Sequence, residues 1–246
     1  STHCISSAAS DVYKRQALAK QTETTCEQAV EQLTCQYDGY RFTPEKGFTP
    51  MFNPFSVLSA LSKSRFSDYW FASGTPTFLV EILKRTDFDL RQLDGIEVSS
   101  ASLSDDRANI ANPIPMIYQS GYLTIKSFDQ RFRSYTLGFP NEEVKYGFLN
   151  FAAPFYTPVA PNDTTFYIGK FVHELETGDT EAFLTRLTCF FADFPYELNT
   201  KTERHYQVIF YLVFKLMGQF TQAEIRTAIG RADAVVTVSY THLRAH

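Results

Sequence analysis

The sequence predicts an α+β chain, mostly helical with a small hairpin over its first two thirds and with three helices and a strand pair after that. Two patterns carry this reading. Apolar residues recur at helical spacing in one segment after another, and strand-like patterning is confined to a few short stretches. Composition agrees: of 246 residues 44% are hydrophobic and 20% charged, with 23 Phe and 14 Tyr against one Trp. So much aromatic surface supports packed cores and excludes a disordered polymer.

The elements follow in order. Glu23 to Gln36 reads as a helix, ended by Tyr37-Asp38-Gly39-Tyr40, where Gly39 can adopt the left-handed conformation. Asn53 caps a second helix whose first position is Pro54 and whose buried stripe is expected from Val57, Leu58 and Leu61. Gly74-Thr75-Pro76 leads into a third helix with Phe78, Leu79, Ile82 and Leu83 on one side. Glu97 to Leu103 reads as a short strand, Pro113 to Ser120 as a short helix, and Tyr122 to Lys126 as a half-buried strand paired with Arg133 to Leu137. After Gly138-Phe139-Pro140, Asn141 caps a helix through Val144, Phe148 and Phe151. Pro154, Pro158 and Pro161 then mark a linker, placing a domain junction near Asn162. Beyond it, Thr165–Glu176, Thr180–Asp193 and Thr202–Met217 read as helices, and Gln222–Thr227 and Arg231–Val236 as strands.

Both ends read as foreign to the rest. Ser6 to Gln16, SSAASDVYKRQ, is one reading frame of a transposase-type sequencing adapter, with Ser1 to Ile5 fitting the index region before it. Val238 to His246, VSYTHLRAH, resembles the opposite adapter read inward, with Thr237 at the join. Residues 1–16 and 237–246 are therefore expected to be adapter-derived tails with few packing contacts. The last strand, cut at Val236, would leave an open sheet edge and an uncovered helix from Tyr206 to Met217.

Several classes of function are disfavoured. Cys4, Cys26, Cys35 and Cys189 contain no Cys-x-x-Cys pair, which points to a reducing, cytoplasmic setting and away from zinc. Between the two ends only His173 and His205 remain, so a histidine metal site is not expected. The most hydrophobic run, Val208 to Phe214, falls far short of the ~20 residues of a membrane span and stops at Lys215; no secretory signal is visible. The net charge of −4 argues mildly against nucleic acid. Gly169-Lys170 echoes a phosphate-binding loop, but Thr164 stands for its first Gly and Phe171 for its Ser or Thr, so no nucleotide-binding residue is assigned.

Two carboxylates stand out. Asp233 lies in Ala232-Asp233-Ala234-Val235-Val236, among small and branched apolar residues. Buried there it would be costly unless it bound a divalent cation such as magnesium, or paired with Arg231 or Arg226 at a sheet edge. Glu203 shares a helical face with Tyr206 and Phe210 and could point to the same site. It equally completes a capping box with Thr200. Arg226 and Arg231, with Lys201, Arg204 and Lys215, could form a small positive patch or a set of solvated charges.

A series of segments resembles a bacterial family that joins an AAA-ATPase-like domain to a C-terminal PD-(D/E)XK nuclease domain. They are Tyr37-Asp38-Gly39-Tyr40-Arg41-Phe42, Phe52-Asn53-Pro54-Phe55-Ser56-Val57-Leu58, Tyr69-Trp70-Phe71 with Gly74-Thr75-Pro76-Thr77-Phe78-Leu79, Gln119-Ser120-Gly121-Tyr122-Leu123-Thr124-Ile125, and Tyr135-Thr136-Leu137-Gly138-Phe139-Pro140-Asn141. Glu203-Arg204-His205-Tyr206-Gln207 and Arg226-Thr227-Ala228-Ile229-Gly230-Arg231-Ala232-Asp233 resemble the entry to the nuclease.

The resemblance implies that 17–161 is the C-terminal portion of the ATPase-like domain and 162–236 the N-terminal portion of an incomplete restriction-endonuclease-like α/β domain. The family's phosphate-binding loop would lie upstream, so ATP belongs to the parent protein alone, and its Glu-x-Lys strand would lie downstream. Asp233, and Glu203 with it, would be the catalytic and magnesium-binding carboxylates, and Arg226 and Arg231 would contact DNA. This fragment would itself be inactive. A regulatory or protein-interaction module, with a partner bound before Pro154 and a non-catalytic nuclease-like domain, stands as the alternative.

Overall fold

The computed structural model describes residues 2–43, 49–74, 77–85, 88–103, 112–157, 163–192, 203–218, 225–227 and 234–236. The chain is helix-rich α+β, and it divides into two compact units. One comprises Ser1–Phe88 and Gln92–Phe148, the other Asp89–Arg91 and Leu149–His246.

The first unit begins with α1 (Thr2–Gln21) and α2 (Cys26–Tyr37). Val12 and Tyr13, in the stretch read as adapter, stand 51% and 72% exposed, whereas Leu18 and Ala19 are buried. Helix α1 thus runs without interruption through Gln16 into the buried Leu18 and Ala19. A capping box of Thr25 and Gln28 starts α2, satisfying two backbone N–H groups reciprocally. Leu18, Leu33, Tyr37, Ala60 and Tyr69 form a core cluster with Val57, Leu61 and Phe66 against it. The fully buried Tyr37 is wet at neither end, since its hydroxyl donates to the Ser67 carbonyl at 2.9 Å and accepts from the Ser67 N–H at 3.1 Å.

Asn53 caps α3 (Pro54–Lys63) as expected, its Oδ1 accepting from the N–H groups of Phe55 and Ser56. The buried face differs from expectation. Ser56 and Ala60 face inward, while Leu58 is 63% exposed. A serine goes inside because the fully buried Glu143 accepts its hydroxyl at 2.7 and 3.0 Å. Glu143 also takes the N–H of Trp70 at 2.7 Å and that of Phe71, orphan donors in the first turn of α4 (Tyr69–Ala72). Helix α5 (Thr77–Arg85) buries Leu79 and Leu83.

Strand β1 (Ile96–Ser99) ends earlier than expected: Ser100–Leu103 turns into α6, its entry fixed by Ser100 bonding the Arg133 carbonyl. After α7 (Ile114–Gln119), β2 (Thr124–Asp129) and β3 (Ser134–Gly138) pair antiparallel, giving the order β1-β3-β2. The register shifts between Ile125 and Ser127, making Lys126 a bulge. Asn141 caps α8 (Glu142–Tyr156), accepting from the Val144 N–H at 3.1 Å. Pro154, expected in a linker, lies inside α8, near an end already three turns long. Asn162 and the other linker prolines lie outside the described residues.

In the second unit, α9 (Thr164–Glu176) and α10 (Thr180–Ala192) meet at Gly178, whose φ of 74° favours glycine. Phe171 packs edge-on against Phe183 and Phe190, and Arg186 pairs with the buried Glu174 across the two helices. Helix α11 (Glu203–Met217) and the antiparallel pair β4 (Ile225–Thr227) and β5 (Ala234–Val236) complete it. Among the described residues no helix is long and apolar enough to cross a membrane.

Burial holds the Glu143 carboxyl above the ordinary value of 4.5, against the opposing effect of its Ser56 and backbone donors. The folded state therefore keeps a proton that the unfolded chain releases just above that value. The stability this provides is full below the unfolded pKa and lost as pH rises through the folded one. Denaturant titrations are expected to show a downward slope above about pH 4.5 that Glu143→Gln flattens; equal slopes would defeat the assignment. Ser56→Ala, which strands a buried acceptor, is expected to cost about 1–3 kcal/mol in the same titrations.

Candidate functional site

Helix α11 owes its place to its apolar residues. Val208, Ile209, Tyr211, Leu212, Val213, Phe214, Leu216 and Met217 are all buried, so it is covered on nearly every side rather than left exposed as the sequence reading expected. A helix apolar almost all round needs such cover. It packs against α9 and touches β4. Its exposed residues include two aromatics: Tyr206 and Phe210 are 38% and 37% exposed, and Phe191 of α10 lies over Phe210 with ring centroids 4.6 Å apart.

The strand pair after α11 sets Ile225 opposite Val236, Arg226 opposite Val235 and Thr227 opposite Ala234. Glu203 is the first residue of α11 and Arg226 the middle residue of β4, and their side chains lie outside what the structure describes. Asp233, immediately before β5, and Arg231 lie outside the described residues, as does 237–246. The backbone thus carries Glu203 at a helix start and Arg226 in a strand that this helix touches.

One charged group at this helix escaped the sequence reading. Arg91, in the 3₁₀ turn Leu90–Gln92, donates from Nη1 to the Gln207 Oε1 at 2.6 Å, one helical turn after Glu203. Its guanidinium is clamped by Asp89, which is 5% exposed and accepts from Nε at 2.8 Å and from Nη2. That pairing pushes the arginine pKa up further, so the cation is permanent. The Asp-x-Arg spacing, with the Arg91 N–H also bonding Asp89 at 3.1 Å, was the available signal, but nothing in it reveals a distant glutamine as second partner.

An open cleft of about 630 Å³ lies along α9 and α10, lined by Tyr167, Asp179, Glu181, Thr185, Arg186 and Cys189 among others. Its arginine is already bound to Glu174, and its two acids offset any attraction for anions. Among the described residues no group of three or more His, Cys, Asp or Glu could hold a metal ion. The only acidic ligands proposed for magnesium are Asp233 and Glu203.

Residues 201–245 match the PD-(D/E)XK nuclease superfamily. The matched stretch includes α11 and the β4–β5 pair. The chain is also 30% identical over 214 residues to the uncharacterized protein in the vnfD 5' region of Azotobacter chroococcum mcd 1, an alignment covering 84% of this chain and 40% of that relative. No solved structure matches.

Arg91→Ala would remove the guanidinium that clamps the buried Asp89 carboxylate and its bond to Gln207, and is expected to destabilise the protein by about 3 kcal/mol. Tyr206→Ala, at one of the exposed aromatics, is expected to cost far less, within about 1 kcal/mol. Equal losses in chemical denaturation would show that Arg91 is not the anchor.

Proposed function

We propose that residues 162–236 form the opening of a PD-(D/E)XK nuclease-like domain that acts on DNA with magnesium, in a longer protein that also carries an ATPase-like domain to which 17–161 belong. The observation that carries this reading is the superfamily match at 201–245, which spans Glu203, Arg226, Arg231 and Asp233 together. The chain spans 40% of the length of its Azotobacter relative, so the whole protein's activity rests on more than these residues.

The chemistry assigned to the residues is specific. Carboxylates of Asp233 and Glu203 would hold magnesium, whose role is to make water acidic enough to attack and to offset charge on the phosphate. Arg226 and Arg231 would take phosphate oxygens and set the strand's position, as arginine forks do. A strand bearing Glu-x-Lys, supplied by the longer protein, would complete the ligand set and contribute a lysine. ATP would bind at a loop upstream of 17–161 in that same protein.

A second reading has its own observation. Phe42, Met51, Phe52, Phe55 and Leu58 are exposed large apolar side chains close together in sequence around the start of α3. Such a set suits a protein-interaction module with a non-catalytic nuclease-like domain.

The two readings separate on one experiment. In the longer protein, Asp233→Asn is expected to reduce magnesium-dependent DNA cleavage by at least about a hundredfold while circular dichroism and melting stay unchanged. Cleavage at the unsubstituted rate would remove Asp233 from the mechanism. Absence of any magnesium-dependent cleavage by the unsubstituted protein would favour the interaction module.

A further inference from the structure

The antiparallel pair of β2 and β3 is packed at one end and open at the other. At the packed end Tyr40, bridged to Met51, leads into Arg41, whose N–H donates to the Thr124 hydroxyl at 2.7 Å and whose carbonyl accepts from it at 2.8 Å. Gly138 is hemmed in there too, since a Cβ would meet Asp94 Oδ1 at 2.8 Å and Lys126 Cε at 3.2 Å. At the other end residues 129–133 are all exposed, and Phe132 stands 69% open to solvent.

Hydrogen bonds hold this open end in one shape. Asp129 Oδ1 accepts from the N–H of Arg131 at 2.8 Å and from that of Phe132 at 3.1 Å, an Asx turn inside the loop. Arg133 closes the loop at a φ of 49°, a left-handed conformation that costs an arginine energy. Its carbonyl accepts both the N–H and the hydroxyl of Ser100, at 3.0 and 2.8 Å, which pins the backbone there. The loop thus presents a large apolar ring to water from a fixed support.

The same loop sets charge around the ring. The Arg131 guanidinium lies over Phe132 with Cζ 5.1 Å from the ring centroid, and Arg133 follows Phe132 in the chain. Neither arginine has a salt-bridge partner among the described residues. The acids of this sheet are placed otherwise. Asp129 has one oxygen committed to the two N–H groups, Glu97 of β1 stands opposite Thr136, three residues along β3 from Arg133, and Asp94 sits at the packed end. Asp105 and Asp106 lie outside the described residues. Behind the loop, the cross-strand partners Phe128 and Tyr135 are half-buried with ring centroids 4.7 Å apart. An exposed ring between two uncommitted guanidiniums complements a chain of bases and phosphates. Arg131 covers one face of Phe132 and leaves the other for a base, and bases offer a free face only when unpaired.

We propose that the loop between β2 and β3, through Arg131, Phe132 and Arg133, is a contact for single-stranded DNA. A base stacks on the open face of Phe132, and the two guanidiniums take phosphates on either side of it. The choice of DNA over RNA rests on the nuclease reading, whereas the contact itself needs neither Asp233 nor magnesium.

Fluorescence anisotropy of a labelled oligothymidylate with the full chain, without magnesium and over a series of chloride concentrations, tests this. Phe132→Leu, which keeps an apolar side chain but loses the stacking face, is expected to weaken binding about tenfold, and Phe132→Tyr to restore it. Arg131→Gln and Arg133→Asn, the latter suited to a left-handed φ, are each expected to lower the slope of log affinity against log salt by about 0.7. Melting is expected to be unchanged in all four, because these side chains are exposed. No saturable binding, or full-strength binding by Phe132→Leu or by both arginine variants, overturns the proposal. So does binding lost only in Arg226→Gln or Arg231→Gln, which would place the contact in residues 201–245. Binding of the oligonucleotide only as RNA or only as a duplex, or of phosphatidylserine vesicles alone, also overturns it. Hairpin-dependent binding by a protein that never cleaves DNA supports this contact and sinks only the nuclease reading; cleavage with binding untouched by the hairpin variants does the opposite.

Discussion

The first unit depends on one buried carboxylate. Glu143 is fully buried in the first turn of α8, where an isolated charge would be expensive, and its cost is offset by donors from elsewhere, the Ser56 hydroxyl and the Trp70 and Phe71 N–H groups. Those donors fix α3 and α4 against α8. One turn further, Gly147 shares that face, and a Cβ there would come within 2.6 Å of the Phe71 ring. The acid thus takes the backbone of α4 while the glycine makes room for its side chain. Phe71 then packs edge-on to Tyr122, and Tyr122 lies 5.8 Å from Phe148, so an aromatic core grows from a polar contact.

A second constraint follows at the start of α8. Gly39 and Pro140 are in near-contact through backbone atoms, which is possible only because Gly39 lacks a side chain and holds a φ of 120°. The bridge at Tyr40, the strand-like course of Arg41 and the bulge at Lys126 all lie within two residues of such close approaches. Backbone this crowded leaves little freedom for the side chains it carries.

Much of the element order was legible because it rests on local rules. The caps Asn53 and Asn141, the turn at Gly39 and the break at Gly178 each declared themselves through residue type. Where the reading missed, long-range partners decided. Leu58 looked like core by spacing, yet Ser56 goes inside because an acid 87 positions away accepts its hydroxyl. Pro154 looked like a linker residue, but it sits well into α8, past the first turn where proline fits without loss. The candidate site shows the same division. Glu203, Arg226, Arg231 and Asp233 could be chosen from their residue types, whereas Arg91 could not, since its link to Gln207 joins residues 116 positions apart.

The second unit separates what holds the helix from what could act at its end. Eight buried apolar residues between Val208 and Met217 anchor α11, each worth about 1.5–3 kcal/mol on burial by the usual transfer scale, before the entropy of ordering is counted. Glu203 lies before all of them, at the first helical position, and contributes nothing to that total. A carboxylate there is therefore held by a helix whose position was fixed without it, and Arg91, which reaches Gln207 of that helix, is itself anchored through Asp89. Charged groups placed by rigid, separately stabilised elements keep their geometry when a cation or phosphate arrives, which is the condition for using binding energy on chemistry instead of on folding.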